Sequence, residues 1–473
     1  MVLRAWRAEA LVVAIDKLIA ILPGPLRQLA QGLTDGNSER SRSQRGALTA
    51  FVIRVASAAI AFGSQVLLAR WFGTYEFGIF TYVWIWINVV GTLCALGFAT
   101  SVIRFIPEYR NCGQFGLALG FLRTGRTVAF ATGTLVAVTG WGFLTAYGEL
   151  VEPYYRMPLT IGLLCLPAFA LTDFQDGVGR AQGWLDLALG PPYIFRPLLL
   201  LTLAAVAVTT GWSRDAGTVI QGAVVATWLT VIAQFLLQKK RMIKTLPSGE
   251  QQYRLSLWFK VSLPLLLLEG FTLMMTNLDI LLLDLFVEPD DIAIYFAAAR
   301  TIALISFVHF AITAVAMPKF AALAAVGDST GLRRHLADMR AWTFWPSLAG
   351  AAGLLVLGQP LLWLFGPGFI AAYPVMFVLV GGLLALAAAG PVQGLLVVTG
   401  HQNITAGVLA VTVVVNGALN LALIPVWGLS GAAAATSLSL AFQALALHLA
   451  ARRVTAGEGM APAAARVHGA AAE

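Results

Sequence analysis

The chain has 473 residues, of which 59% are hydrophobic and 11% charged, and its formal net charge is +8. Soluble domains carry roughly 25% charged residues, so this composition excludes an ordinary soluble enzyme and is typical of a membrane protein. The positive charge does not by itself indicate nucleic acid, because basic loops facing anionic lipid head groups produce the same excess. We therefore expect membrane lipids, and no nucleic acid, among its partners.

Residues 1–45 precede the first long apolar stretch. Leu11, Ile15, Leu18 and Leu22 recur at helical spacing among several basic residues. This pattern predicts an amphipathic helix lying in the head-group plane, followed by a polar linker. The alternative is a weakly ordered leader without a function.

Twelve apolar stretches follow, and most are long enough for a helix that crosses a hydrocarbon core of roughly 30 Å. The fourth is the weakest, because Pro158 and Pro167 shorten its regular part. The expected fold class is an all-α, polytopic membrane protein with about 12 transmembrane helices. The stretches lie near 47–70, 77–100, 120–146, 157–173, 192–212, 216–238, 257–283, 292–317, 342–365, 372–399, 403–425 and 428–450.

Basic residues occupy every second gap between these stretches. We name the two faces of the protein the basic side and the acidic side. Since Lys and Arg in short loops mark the cytoplasmic face, the pattern predicts a multi-pass protein of the bacterial cytoplasmic (inner) membrane with both termini in the cytoplasm. The basic side includes Arg104, Arg110, Arg180, Lys239, Lys240, Arg241, Lys319 and Arg333, and the acidic side Glu76, Glu149, Glu152, Asp215, Glu288, Asp290 and Asp291.

An internal repeat is visible across six helices. The aromatic and acidic loop at 72–80 resembles the loop at 286–295, and Arg104-Phe105 stand 215 positions before Lys319-Phe320. Parallel repeats related by an axis along the membrane normal are a transporter plan with a substrate site between the halves. We expect an N-lobe at 46–238, a basic cytoplasmic linker at 239–256, a C-lobe at 257–452 and a disordered tail at 453–473.

The segment 67–80, LLARWFGTYEFGIF, resembles the first-loop signature of the polysaccharide-transport flippases, within the multidrug/oligosaccharidyl-lipid/polysaccharide exporter superfamily. Similar motifs are RFIPEY at 104–109, LFGPGF at 364–369 and IPVWGLSGAA at 424–433. The resemblance covers about 45–450. It implies two six-helix lobes and translocation of polyprenyl-diphosphate-linked oligosaccharides for O-antigen, capsule or exopolysaccharide assembly, with a polysaccharide polymerase and glycosyltransferases as partners.

Charges inside apolar stretches are the candidate site residues, since such charges usually face a cavity or a partner. Arginine suits a diphosphate because its planar guanidinium donates two parallel hydrogen bonds. We expect Arg54, Arg196 and Arg300 to bind the head group. Arg54 and Arg300 lie deeper than Arg196, for which snorkelling to the surface is an equal alternative.

Glu269 is the deepest acid, and Asp279 lies ten residues further along the same stretch. Three interpretations of Glu269 remain open: an ion pair with an arginine of another helix, a protonated neutral carboxyl, or exchange of a proton or sodium ion during transport. Both acids are included in the expected substrate-binding set. His309 is a weaker coupling candidate.

The sequence contains no nucleotide, metal or nucleophile motif, and its three cysteines are widely spaced, so no enzyme, metal site or cofactor is expected. Two rival functions of the chain are a drug or metabolite:cation antiporter of the same superfamily and a non-transporting component of a polysaccharide assembly complex. A membrane-embedded glycosyltransferase or ligase is disfavoured, because the gaps on the acidic side are short.

Overall fold

A computed structural model describes residues 39–245 and 249–455, with side chains for 55–243 and 249–455. The expected interfacial helix, most of the tail and the side chain of Arg54 lie outside the described residues. Because lipid offers no partners to backbone N–H and C=O groups, apolar stretches satisfy these groups as helices. The helices are α1 (Glu39–Leu93), α2 (Phe98–Asn111), α3 (Phe115–Tyr147), α4 (Pro153–Gly162), α5 (Leu166–Ala181), α6 (Leu185–Gly190), α7 (Arg196–Thr209), α8 (Ala216–Thr245), α9 (Leu255–Leu283), α10 (Pro289–Ile302), α11 (Ser306–Ala325), α12 (Ser329–Val356), α13 (Gly358–Phe365), α14 (Tyr373–Ala389), α15 (Val392–Val398) and α16 (Gln402–Thr455).

Nine helical segments of the described chain are long and apolar enough to cross a membrane, and the pair α12 and α13, bent by 61°, adds a tenth. Two of the nine have 57 and 54 residues, roughly 80 Å of helix and about twice the length of one crossing. These two are broken at Gly73 (φ 80°) and Gly428 (φ 54°). The all-α polytopic fold is confirmed, and counting each broken segment as two crossings gives the expected twelve.

Two of the predicted spans have wrong limits. The fourth runs from Pro153 to Ala181 and continues well past 173. The fifth begins at Leu185 and not near 192. A π-helical turn at Pro191–Phe195 continues the helix through Pro191 and Pro192. Arg196 therefore lies eleven residues inside its span, roughly 16 Å from the start of the helix.

The buried side chains form three clusters. The first cluster lies toward the acidic side and joins both halves of the chain, since it contains Phe77 and Phe80 together with Phe296 and Phe369. The second contains first-half residues and the start of α9, and the third contains only second-half residues. The two halves, α1–α8 and α10–α16, thus share a core toward the acidic side and separate toward the basic side. We infer from this distribution of buried side chains that a cleft between the halves opens on the basic side.

Helix α9 connects the two halves. Near its start, the buried Trp258 donates a hydrogen bond to the Tyr109 hydroxyl of the first half at 2.8 Å. One turn later α9 touches α2 so closely that a Cβ on Gly97 would lie 2.1 Å from the Ser262 carbonyl oxygen. The later part of α9 packs against α16 of the second half. Pro264 lies within the helix between these two regions.

Candidate functional site

A break inside the second crossing positions the first part of the site. Helix α1 ends at Leu93 and α2 begins at Phe98, and the turn between them places Leu96 (φ 48°) and Gly97 (φ 74°) in the left-handed region. A non-glycine residue costs about 1–2 kcal/mol in that conformation. Discontinuous transmembrane helices commonly build transporter sites. Here the break directs the first turn of α2 toward α9.

The Thr100 hydroxyl in that turn donates a hydrogen bond to the Oε1 atom of Glu269. The Oε2 atom of Glu269 is buried and accepts no hydrogen bond from the described residues. One residue further along α2, the hydroxyls of Ser101 and Ser262 are 2.7 Å apart and fix the register of α2 against α9. Within the described chain Glu269 forms no ion pair, so it retains an unused acceptor.

Helix α5 adds two carboxylates beside this pair. A Cβ on Gly177 would lie 2.0 Å from the Ala99 carbonyl oxygen, so α5 and α2 are in direct contact there. Asp173 interacts electrostatically with both Asp176 and Glu269, and we name these three residues the carboxylate cluster. Asp176 pairs with Arg180 on the next turn. The Oδ2 atom of Asp173 is buried without a hydrogen-bond partner among the described residues.

Arg196 lies next to the carboxylate cluster and interacts electrostatically with Asp173. Its guanidinium carbon is 4.5 Å from the ring centroid of Phe169 and 5.4 Å from that of Trp84. The Nη1 atom is buried and has no hydrogen-bond acceptor among the described residues. Two aromatic rings therefore hold the guanidinium at depth, which disfavours the alternative of snorkelling.

A separate polar group surrounds Asp279 near the end of α9, where this helix packs against the second half. Its carboxylate accepts hydrogen bonds from the Tyr295 hydroxyl at 2.6 Å and the Thr436 hydroxyl at 3.3 Å, and from its neighbour's backbone amide. Arg300 interacts electrostatically with this carboxylate and lies over the Phe296 ring at 4.8 Å. Asp279 therefore ties α9, α10 and α16 together and provides a counter-charge for Arg300.

The structure divides the predicted site residues between two polar groups, one against each half. Arg196 and Glu269 belong to the first polar group, whereas Arg300 and Asp279 belong to the second. Sequence reasoning missed Asp173 and Asp176, which lie on one face of α5 at the end of a stretch that continues to Ala181. Their spacing of three residues inside an extended fourth span was the signal that could have revealed them.

Closely packed residues close the acidic side between the halves. A Cβ on Gly78 would lie 1.9 Å from the Pro289 carbonyl oxygen. Arg70 donates hydrogen bonds to the carbonyl oxygens of Leu364 at 2.7 Å and Trp363 at 2.6 Å. We name this contact region the acidic-side closure. These contacts join the two halves directly on the acidic side.

The sequence matches a family model described as "Polysaccharide biosynthesis protein" over residues 43–324. Comparison with curated proteins gives no match. Among solved structures, the chain is similar to the lipid II flippase MurJ in an inward closed conformation, with a TM-score of 0.69 and 14% identity over 86% of this chain and 87% of that chain.

It is also similar to an inward-facing multidrug resistance MATE family transporter of the MOP superfamily, with a TM-score of 0.65 and 14% identity over 86% of this chain and 98% of that one. A MOP superfamily transporter from Pyrococcus furiosus gives a TM-score of 0.60 and 13% identity over 86% and 95%. Identities this low show the fold alone, whereas the family model covers more than half of the chain. The resemblance inferred from the loop motifs is confirmed, and the chain belongs to the polysaccharide biosynthesis protein family.

Proposed function

We propose that the protein is a flippase that moves polyprenyl-diphosphate-linked oligosaccharides across the bacterial cytoplasmic membrane for surface polysaccharide synthesis. The observation that carries this proposal is that each half holds one arginine deep in the membrane. The cleft that we infer between the halves would give a head group access to them from the basic side. A diphosphate bears at least two negative charges, and Arg196 and Arg300 offer one cation from each half. Arg54 is the third proposed ligand.

The carboxylates have distinct proposed roles. Glu269 balances or couples charge within the carboxylate cluster, because one of its oxygens is free to accept a proton or a cation. Asp279 holds Arg300 in place. Transport proceeds by alternating access, in which the acidic-side closure opens while the basic side closes, and the prenyl tail stays in lipid.

The protein is proposed to act without enzymatic chemistry, and the energy for transport comes from an ion gradient, the membrane potential or downstream use of the substrate. Both termini are proposed to lie in the cytoplasm, which places the open cleft where lipid-linked oligosaccharides are synthesised. Glycosyltransferases of the pathway would then supply the substrate, and a polymerase would consume it on the opposite face.

The test is a deletion strain in which lipid-linked intermediates are measured on each face of the membrane. The proposal expects loss of polymer with intermediates retained on the cytoplasmic face, and restoration by the wild-type gene. Normal polymer in the deletion strain would refute it. Arg214→Gln, expressed in the deletion strain, is the matched charge control for variants of Arg196 and Arg300. Its exposed side chain lies in a loop, outside both polar groups.

A second candidate, a drug or metabolite:cation antiporter, is favoured by the carboxylate cluster, because acids buried in one half suit a cationic substrate. The two functions separate in the same strain. An antiporter predicts normal polymer together with new sensitivity to organic cations. A flippase predicts loss of polymer with unchanged sensitivity to organic cations.

A further inference from the structure

A groove on the outside of the first half is independent of the cleft and of the proposed function. Helices α3 and α8 each pack against α5, and between them lies a groove of about 410 Å³ with α5 as its floor. Phe130 on α3 is 46% exposed and Ile232 on α8 is 49% exposed at its rim. Exposed apolar side chains within membrane spans face lipid, so the groove opens laterally into the bilayer.

Arg126 places a positive charge inside this mainly apolar groove. Its guanidinium carbon lies 5.1 Å from the ring centroid of Phe235, and its Nε–H is buried without an acceptor among the described residues. None of the described residues that line the groove is acidic. A buried guanidinium N–H without an acceptor is costly, so the groove is complementary to an anion.

A second unpartnered group lies on the groove floor. Gln175 is 1% exposed, lines the groove, and its Oε1 atom accepts no hydrogen bond from the described residues. The groove therefore presents a cationic donor and a neutral acceptor. A phosphodiester satisfies the first group and a hydroxyl satisfies the second.

The depth of Arg126 fits a lipid head group on the basic side. Arg126 lies eleven residues after the start of α3 at Phe115, roughly 16 Å along a helix of about 50 Å. Because that helix exceeds the hydrocarbon thickness by about 20 Å, Arg126 lies only a short distance below the phosphate layer. Arginine side chains span such a distance readily.

We propose that the groove between α3, α5 and α8 is a binding site for an anionic phospholipid with a hydroxyl-bearing head group, of the phosphatidylglycerol type. Its phosphate accepts from Arg126, a head-group hydroxyl donates to Gln175, and an acyl chain fills the apolar part. Basic pockets between transmembrane helices on the cytoplasmic side are known to bind anionic head groups.

The test uses the full chain reconstituted in bilayers of phosphatidylethanolamine with a minor fraction of phosphatidylglycerol. Lipids retained after gentle extraction are counted by native mass spectrometry. Arg126→Gln is expected to lower retained phosphatidylglycerol roughly tenfold or more, since it removes a charged hydrogen-bond donor. The matched control is Arg123→Gln, one turn earlier on α3, where the exposed side chain bonds Gln251 and lies outside the groove.

Two further variants separate charge, acceptor and shape. Gln175→Leu keeps Arg126, so it is expected to retain anionic lipid but to lose the preference for phosphatidylglycerol over phosphatidic acid. Ile232→Trp fills the groove from an exposed position with both polar groups intact, and it is expected to abolish retention in a monodisperse, folded protein.

Equal retention by wild type and Arg126→Gln, or equal losses from Arg126→Gln and Arg123→Gln, would overturn the proposal. So would unchanged retention in Ile232→Trp. If wild type retains a polyprenyl phosphate instead of phosphatidylglycerol, the groove belongs to the substrate path and the proposal is wrong.

Discussion

Gly78 of α1 and Pro289 of α10 approach each other so closely that a single added Cβ on Gly78 would lie 1.9 Å from the Pro289 carbonyl oxygen. The two residues belong to different halves and lie on the acidic side. Their contact exists only because position 78 has no side chain. The conformation that is open on the basic side therefore depends on a glycine at this point.

Gly78→Ala is expected to prevent full closure of the acidic side, because backbone and not a flexible side chain meets the new methyl group. The variant should fold and insert, yet favour conformations in which the acidic side is open. Accessibility of a cysteine introduced at Thr74 to a membrane-impermeant thiol reagent measures this shift. Gly63→Ala is the control, since a Cβ at Gly63 meets nothing within 4 Å. Equal labelling of both variants would contradict this interpretation of the contact.

Removing either deep arginine is expected to reduce translocation. Arg196→Ala and Arg300→Ala each remove charged hydrogen bonds to the proposed diphosphate, which corresponds to a loss of roughly tenfold to a hundredfold. Arg196→Lys should restore little, because a lysine cannot donate in the bidentate geometry of a guanidinium. Flipping by reconstituted protein in vesicles measures the effect. If both alanine variants transport at the wild-type rate, the assignment of these two arginines is wrong.

Glu269→Gln tests whether the carboxylate couples charge movement to transport. The amide keeps the acceptor for Thr100 but has no charge, so the variant should bind substrate while its transport rate loses the response to an imposed pH gradient or sodium gradient. Glu250→Gln, in the exposed segment before α9, should leave the response unchanged. A response of Glu269→Gln equal to that of wild type would assign a structural role to this residue.

Asp215 caps the N-terminus of α8 on the acidic side. Its Oδ1 atom accepts from the Thr218 amide at 2.7 Å and its Oδ2 atom from the Ser213 hydroxyl at 2.6 Å. Burial raises the pKa of Asp215, but these hydrogen bonds outweigh it and leave the pKa below the ordinary value. Asp215→Ala should cost about 1 kcal/mol of stability at neutral pH.

The sign of the pH dependence follows from that lowered pKa. The charged form is favoured by folding, so its contribution is present above the ordinary carboxyl pKa and is lost as the pH falls through the lower folded value. The Tm difference between wild type and Asp215→Ala in detergent should therefore shrink in acid. A difference that stays constant or grows on acidification would be inconsistent with this cap.

The crossings and their number followed from the sequence, because length and hydropathy alone decide which segments satisfy their backbone in lipid. The exact limits did not follow. The π-helical turn at Pro191–Phe195 depends on tertiary packing around two buried prolines, so it is not encoded in local propensity. As a result the depth of Arg196 was underestimated.

The charged members of the candidate site were predictable from the same hydropathy pattern. Arg196, Arg300, Glu269 and Asp279 were found as charges inside apolar stretches. Their division between two polar groups, the left-handed backbone at Leu96 and the contribution of α5 required the packed structure. Spacing along one chain does not say which helices are neighbours.

Alternating access requires the acidic-side closure to open, and a reversible cross-link across this closure tests that requirement. A Cβ on Gly368 would lie 3.6 Å from the Cγ2 atom of Thr74, which is close enough for a disulfide between cysteines at the two positions. The pair Thr74→Cys and Gly368→Cys is introduced after Cys94, Cys112 and Cys165 have been replaced by alanine.

Ser213→Cys with Thr218→Cys serves as the control pair within one half, since the native hydroxyls are 3.2 Å apart. Flipping of lipid-linked oligosaccharide in vesicles is measured before oxidation, after oxidation and after reduction. Oxidation should stop transport in the Thr74/Gly368 pair, reduction should restore it, and the control pair should be unaffected. Transport at the full rate by fully cross-linked Thr74/Gly368 protein would contradict alternating access through this closure.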